Sequence, residues 1–121
     1  MVAPVSIDDS IRRQLIVLAR RSNARVTEFS RDRPTDWRPG EVRNPAGTPW
    51  PYFTRTSAWE LIADVLEGGH DVETIALQKP PGAKGYVMKI NLEPNKPHLY
   101  VKLQLGSGKI IGRSFHYSEL D

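Results

Sequence analysis

Between Val72 and Tyr117 the chain alternates strand-length runs with connections too short for anything but hairpins. VETIALQK, GYVMKINL, HLYVKLQL and KIIGRSFHY mostly alternate polar with apolar residues, and PPGAKG, EPNKP and GSG between them are turn compositions. Parallel neighbours need a crossover of about a dozen residues or more, so the four runs are expected to form an antiparallel meander.

The first half of the chain has a different period. In SIDDSIRRQLIVLARRS, Ile7, Ile11, Leu15, Leu18 and Ala19 fall on one helical face, with Ser6 as the expected N-cap and Asp8 and Asp9 in the first turn. In SAWELIADVLEGGHD, Ser57 and Glu60 have capping-box spacing, Trp59, Ile62, Ala63 and Leu66 form an apolar stripe, and Gly68 and Gly69 supply a left-handed stop. The expected class is α+β, with two N-terminal helices packed on one face of a four-stranded antiparallel sheet. At 121 residues this makes a single domain, 1–121. Between the helices, from about Ala24 to Thr56, prolines 34, 39, 45, 49 and 51 break any helix. The Pro-rich stretch 30–56 reads as an ordered loop, which a short strand around Arg25 to Phe29 would shorten. Trp50, Tyr52 and Phe53 are expected to pack it against the body.

No apolar run approaches eighteen residues, and MVAPVSIDDS lacks a basic region followed by an apolar block. Neither a transmembrane helix nor a signal peptide is expected, and cytoplasmic residence is the simplest reading. Cysteine is absent, which excludes disulfides, thiolate zinc sites and a cysteine nucleophile. With only three scattered histidines, no metal site is expected, and no sequence pattern calls for a cofactor. Net charge is +3, but from Lys79 to Tyr117 six lysines and one arginine face a single acid, Glu93. That imbalance suits a phosphate-bearing partner; lysines that keep a small sheet soluble are the plainer alternative. Every arginine except Arg113 precedes residue 56, and every lysine follows residue 78. Arg12, Arg13, Arg20 and Arg21 on the first helix then form either a second RNA contact or a surface with no function.

Alternation assigns the sheet faces. Tyr86, Met88, Ile90, Leu92, Leu99, Val101, Leu103 and Leu105 read as core, which sends Lys89, Tyr100 and Lys102 to the open face. The last strand depends on its register. With Ser107 and Gly108 alone as the loop, Lys102 opposes Arg113, and Arg113 and Tyr117 join the open face. With Gly106 added to the loop, Leu103 pairs with Ile111, Leu99 pairs with Phe115, and His116 takes the open face instead. A bulge at Gly112 would bring both Arg113 and His116 there. Glu73, alternating with Ile75 and Leu77, reads as core-facing.

A cluster of lysine, tyrosine, arginine and histidine without paired carboxylates is unsuited to glycoside cleavage. No P-loop or nucleophile elbow supports phosphoryl transfer from ATP or acyl transfer. The cluster suits metal-free RNA cleavage, in which cations neutralise the phosphorane and a histidine protonates the leaving oxygen. The candidate catalytic residues are Lys89, Tyr100, Lys102, Arg113, His116 and Tyr117. The reading from a different class is a non-catalytic module that uses the same cationic face to bind RNA or an acidic protein.

Two helices followed by an antiparallel sheet bearing lysine, tyrosine and arginine resembles the RelE and MqsR kind of bacterial toxin. GYVMKI, LYVKLQL and IIGRSFHYSEL are most similar to the MqsR branch, and Arg113, His116 and Tyr117 resemble the Arg-x-x-His-Tyr ending of YoeB-like toxins. The resemblance spans about Ser57 to Leu120. It implies a metal-independent mRNA-cleaving toxin that works by 2′-hydroxyl attack, without cofactor. Its partners would be RNA, a cognate antitoxin and the ribosome. Lys89 or Lys102 would match the catalytic lysines, Tyr100 the strand tyrosine, Arg113 the phosphate-stabilising arginine and His116 the general acid. The stretch 33–56 has no counterpart in that family, and no general base is assigned.

Overall fold

A computed structural model describes residues 7–47 and 50–118. Helix α1 (Asp9–Ala19) begins at Asp8, whose carboxylate accepts from the Ile11 amide at 2.9 Å. The cap is thus Asp8, and Ser6, the expected cap, lies outside the described residues. Helix α2 (Arg55–Glu67) starts earlier than its sequence suggests. Thr54 is the N-cap and Ser57 closes the reciprocal box, with Thr54 Oγ1 accepting from the Ser57 amide at 3.1 Å and the Thr54 amide donating to Ser57 Oγ at 2.8 Å. Ser57 therefore occupies the position three residues into the box that Glu60 was expected to fill. After α2, Gly69 takes the left-handed conformation, φ 85°.

The helices are tied to each other through arginine. Arg12 donates at 3.0 Å to the carbonyls of Leu66 and of His70, and Arg20 pairs with Asp64 at 2.9 Å and with Glu67. Two of the four arginines considered for an RNA contact are thus committed to joining α1 to the end of α2.

The sheet is larger than the expected four strands, and mixed. β3 (Glu73–Ala76), β4 (Lys84–Ile90), β5 (Leu99–Leu105) and β6 (Ile110–Tyr117) form the antiparallel meander. Two short segments of the inter-helix loop, β1 (Arg25–Val26) and β2 (Asp36–Trp37), add in parallel to the far side of β6. β6 thereby becomes an interior strand. Pro34, just before the second piece, has no amide hydrogen to give to a ladder. Residues 27–35 leave the sheet between the two pieces, and Thr35 Oγ1 donates to the Thr27 carbonyl at 3.0 Å where the excursion closes.

The core lies between the helices and one sheet face: Leu15, Ala19, Trp59, Ile62 and Leu66 meet Met88, Leu99, Val101, Leu103, Ile110 and Phe115. Trp37 stacks on Trp59, with centroids 5.0 Å apart, and tilts against Phe115 at 5.3 Å, while the Arg25 guanidinium lies 5.8 Å over Trp59. Truncating the fully buried Trp59 to alanine is expected to cost about 3–5 kcal/mol. Of the three loop aromatics only Phe53 is buried; Tyr52 and Trp50 stay exposed. The Arg43–Tyr52 bridge and the Phe53 amide donating to the Val42 carbonyl at 3.0 Å hold this stretch extended, so Phe53 turns inward and its neighbour outward. Among the described residues no helix is long and apolar enough to cross a membrane.

Candidate active site

β5 and β6 start their hairpin in one register and finish in another. Leu105 opposes Ile110 and Leu103 opposes Gly112, but Lys102 opposes Ser114, Val101 opposes Phe115 and Tyr100 opposes His116. The extra residue is Arg113. It sits where the neighbouring edge is interrupted, since β1 pairs with Ile110 and Ile111 while β2 pairs with Ser114 and Phe115. The register with the two-residue loop holds from Leu105 to Leu103, the one with Gly106 in the loop does not form, and the bulge expected at Gly112 falls on Arg113, placing Arg113 and His116 on the same face as Tyr100 and Lys102. Gly112 contributes through its missing side chain: a Cβ there would lie 2.4 Å from Trp37 Cζ3, so only glycine lets the indole lie flat on the strand.

Two cross-strand rows define the face. Lys89, Tyr100 and His116 oppose one another across β4, β5 and β6; beside them run Glu73, Val87, Lys102 and Ser114 across β3 to β6. Directly opposed side chains have Cβ atoms about 4.5–5.5 Å apart. The imidazole of His116 stacks on Tyr100 with centroids 5.6 Å apart and planes at 27°. Its Nε2 lies 3.4 Å from Asp36 Oδ2 and its Nδ1 lies 2.9 Å from the Tyr117 carbonyl. Both ring nitrogens thus face acceptors. Asp36 is itself fixed by Arg38, whose Nε lies 2.7 Å from its carboxylate.

Glu73 stands opposite Val87, which stands opposite Lys102, so it faces the open side rather than the core. Ile75 and Leu77 misled the alternation because this face has a small apolar patch of its own: Leu77, Val87 and Ile111 are buried outside the main core. Three strand spacings of about 4.8 Å put the β3 and β6 backbones about 14 Å apart. Glu73 and His116 therefore stand at opposite ends of a strip carrying Lys89, Tyr100 and Lys102. Glu73 and Lys89 share a groove of about 690 Å³ with His70, Asp71 and Thr74. Burial, and then the charge of Glu73, raise the Tyr100 hydroxyl above its usual pKa, which keeps it a neutral hydrogen-bond donor.

Arg113 is present on the face but not free. Only 4% exposed, it donates from Nε to the Pro34 carbonyl at 2.8 Å and from a terminal nitrogen to Gln104 Oε1 at 2.7 Å. Tyr117 does not join the face at all. It opposes Leu99 on the core side, where its hydroxyl accepts from the Arg43 amide at 3.0 Å. The bulge accounts for this, because only one of two successive residues beyond it can face outward, and His116 does. Asp36 was missed by the sequence reading: it lies eighty residues from His116 and belongs to a strand of two residues, too short to show a period.

Comparison with protein-family models, with curated proteins and with solved structures gives no match for this chain.

Proposed function

We propose that the protein is a metal-independent endoribonuclease of the toxin kind, cleaving single-stranded mRNA by attack of a 2′-hydroxyl on the adjacent phosphate. The observation that carries this reading is His116, held between Tyr100 and Asp36 at the end of a cationic strip whose far end carries Glu73. In-line attack places the proton acceptor and the proton donor on opposite sides of phosphorus. The 2′-oxygen gives its proton to water, the bond from that oxygen to phosphorus forms as the bond to the 5′-oxygen breaks, and His116 protonates the departing 5′-oxygen. Lys89 and Lys102 offset the charge that builds on the phosphorane, and Tyr100 orients the phosphate with its hydroxyl. Arg113 acts behind Lys102 rather than at the reacting atoms, and Tyr117 has no place in the step. A cognate antitoxin would silence such an enzyme by covering the same cationic face.

Purified protein is expected to cleave single-stranded RNA in EDTA. His116→Ala is expected to lower kcat by about 10²–10⁴-fold while leaving the fold intact. RNA binding without cleavage, weakened evenly as each lysine is removed and strongly dependent on salt, would instead establish the non-catalytic binding module.

A further inference from the structure

Between the excursion 27–35 and the end of β3 lies a pocket of about 330 Å³, lined by Pro34, Leu77, Lys79, Lys102 and Arg113 among others. A water in the liquid takes about 30 Å³, so the space holds a polyatomic anion with ease. Three of its lining residues are cations, and none is an acid. Arg113 is buried there with two neutral oxygens as its hydrogen-bond partners. Arg33 is close enough to repel it, and the Arg33 Nε is itself buried without a hydrogen-bond partner. Burial, then the charge of Arg113, push the Lys102 amine below the usual lysine range. The carboxylate whose charge reaches Lys102 is Asp36, already engaged by Arg38 and His116. Desolvated cations gathered without a counter-charge are costly in an empty site and become favourable when an anion enters.

We infer that this pocket binds a phosphate group, held by Lys79, Lys102 and Arg113. The planar guanidinium of Arg113 has two edges committed to Pro34 and Gln104, which fixes its orientation and leaves the remaining nitrogen to bind oxygen. The site stands without the nuclease reading. If that reading holds, the group is a backbone phosphate next to the scissile one, because Lys102 belongs both to this pocket and to the cleavage strip.

The test is a titration of the full protein with inorganic phosphate at constant ionic strength, followed by backbone amide NMR. Saturable shifts at residues 76–79 and at Arg113, about tenfold weaker in Lys79→Ala, are expected. Lys79 is exposed, so this variant leaves the fold undisturbed. Absent saturation, shifts reproduced by chloride, or an unchanged affinity in Lys79→Ala would each overturn the site. A short single-stranded RNA that displaces the phosphate identifies a backbone source; RNA and phosphate binding together identifies a free phosphorylated molecule. Protein that binds phosphate here yet cleaves no RNA refutes the nuclease and keeps the pocket. Protein that cleaves RNA but shows no phosphate binding refutes the pocket alone.

Discussion

Replacing Gly112 by alanine tests how the bulged strand is held. The added Cβ would lie 2.4 Å from Trp37 Cζ3 and 2.7 Å from both Cε3 and Cη2, where carbon contacts normally settle at about 3.5–4.0 Å. The indole has little freedom to retreat, since Trp59 stacks on it and Phe115 tilts against it, and both of those rings are fully buried. Overpacking of this kind costs about 1–3 kcal/mol, and a rigid ring met at three atoms argues for the upper half. Loss of a glycine from the unfolded chain offsets about 0.4–1 kcal/mol. A net destabilisation of about 2 kcal/mol is expected, a large share of the 5–15 kcal/mol typical of a domain. At roughly 4 °C per kcal/mol for a chain of this size, Tm should fall by about 8 °C. Urea unfolding followed by tryptophan fluorescence should show a lower midpoint with the slope unchanged. In a Trp37→Leu background the same substitution should cost less than half as much, because the ring it strikes is gone. Stability within about 0.5 kcal/mol of wild type, or equal costs in the two backgrounds, would refute the packing argument.

Three further outcomes follow from the same geometry. Tyr117→Phe removes the acceptor of the Arg43 amide and should cost up to about 1 kcal/mol in urea unfolding while leaving RNA cleavage unchanged; a loss of kcat would return Tyr117 to the site. Asp36→Asn weakens the partner of His116 and should lower kcat about tenfold or more with little effect on KM, whereas unchanged kcat would make the contact incidental. The Lys102 amine titrates below 10.5 when folded, so the unfolded chain binds more protons between the two values and stability rises with pH across that window. Lys102→Met should therefore be more stable than wild type at neutral pH, with the advantage shrinking as pH approaches 10.5; a constant difference across pH would contradict the assignment.

What could be read from the sequence was what is local. Both helices and the four-strand meander follow from periods of 3.6 and 2 and from turn compositions, and Lys89, Tyr100 and Lys102 reached the open face by alternation alone. The missing parts depend on contacts between distant segments. β1 and β2 are two residues each and have no period, so nothing in the Pro-rich loop announces that β6 is interior. A bulge at Gly112 was one of the readings the hairpin left open; the interrupted edge and the close approach of Trp37 to Gly112, which a hairpin considered alone does not reveal, are what select it. Glu73 was misplaced because Ile75 and Leu77 suggest a single apolar face, whereas β3 turns apolar residues toward a second one. Trp50 shows the same limit from the other side: its size argued for burial, and the extended stretch leaves it exposed.

The most direct measurement is the chemistry of the ends that the protein leaves on a single-stranded RNA in EDTA. Attack by the 2′-hydroxyl predicts a 2′,3′-cyclic phosphate on one fragment and a 5′-hydroxyl on the other, with a 2′-deoxy nucleotide at the scissile position blocking cleavage and His116→Ala reducing the rate by at least 10²-fold. Fragments bearing 5′-phosphates, cleavage that persists at the 2′-deoxy position, or intact RNA after exposure to the wild-type protein would contradict it.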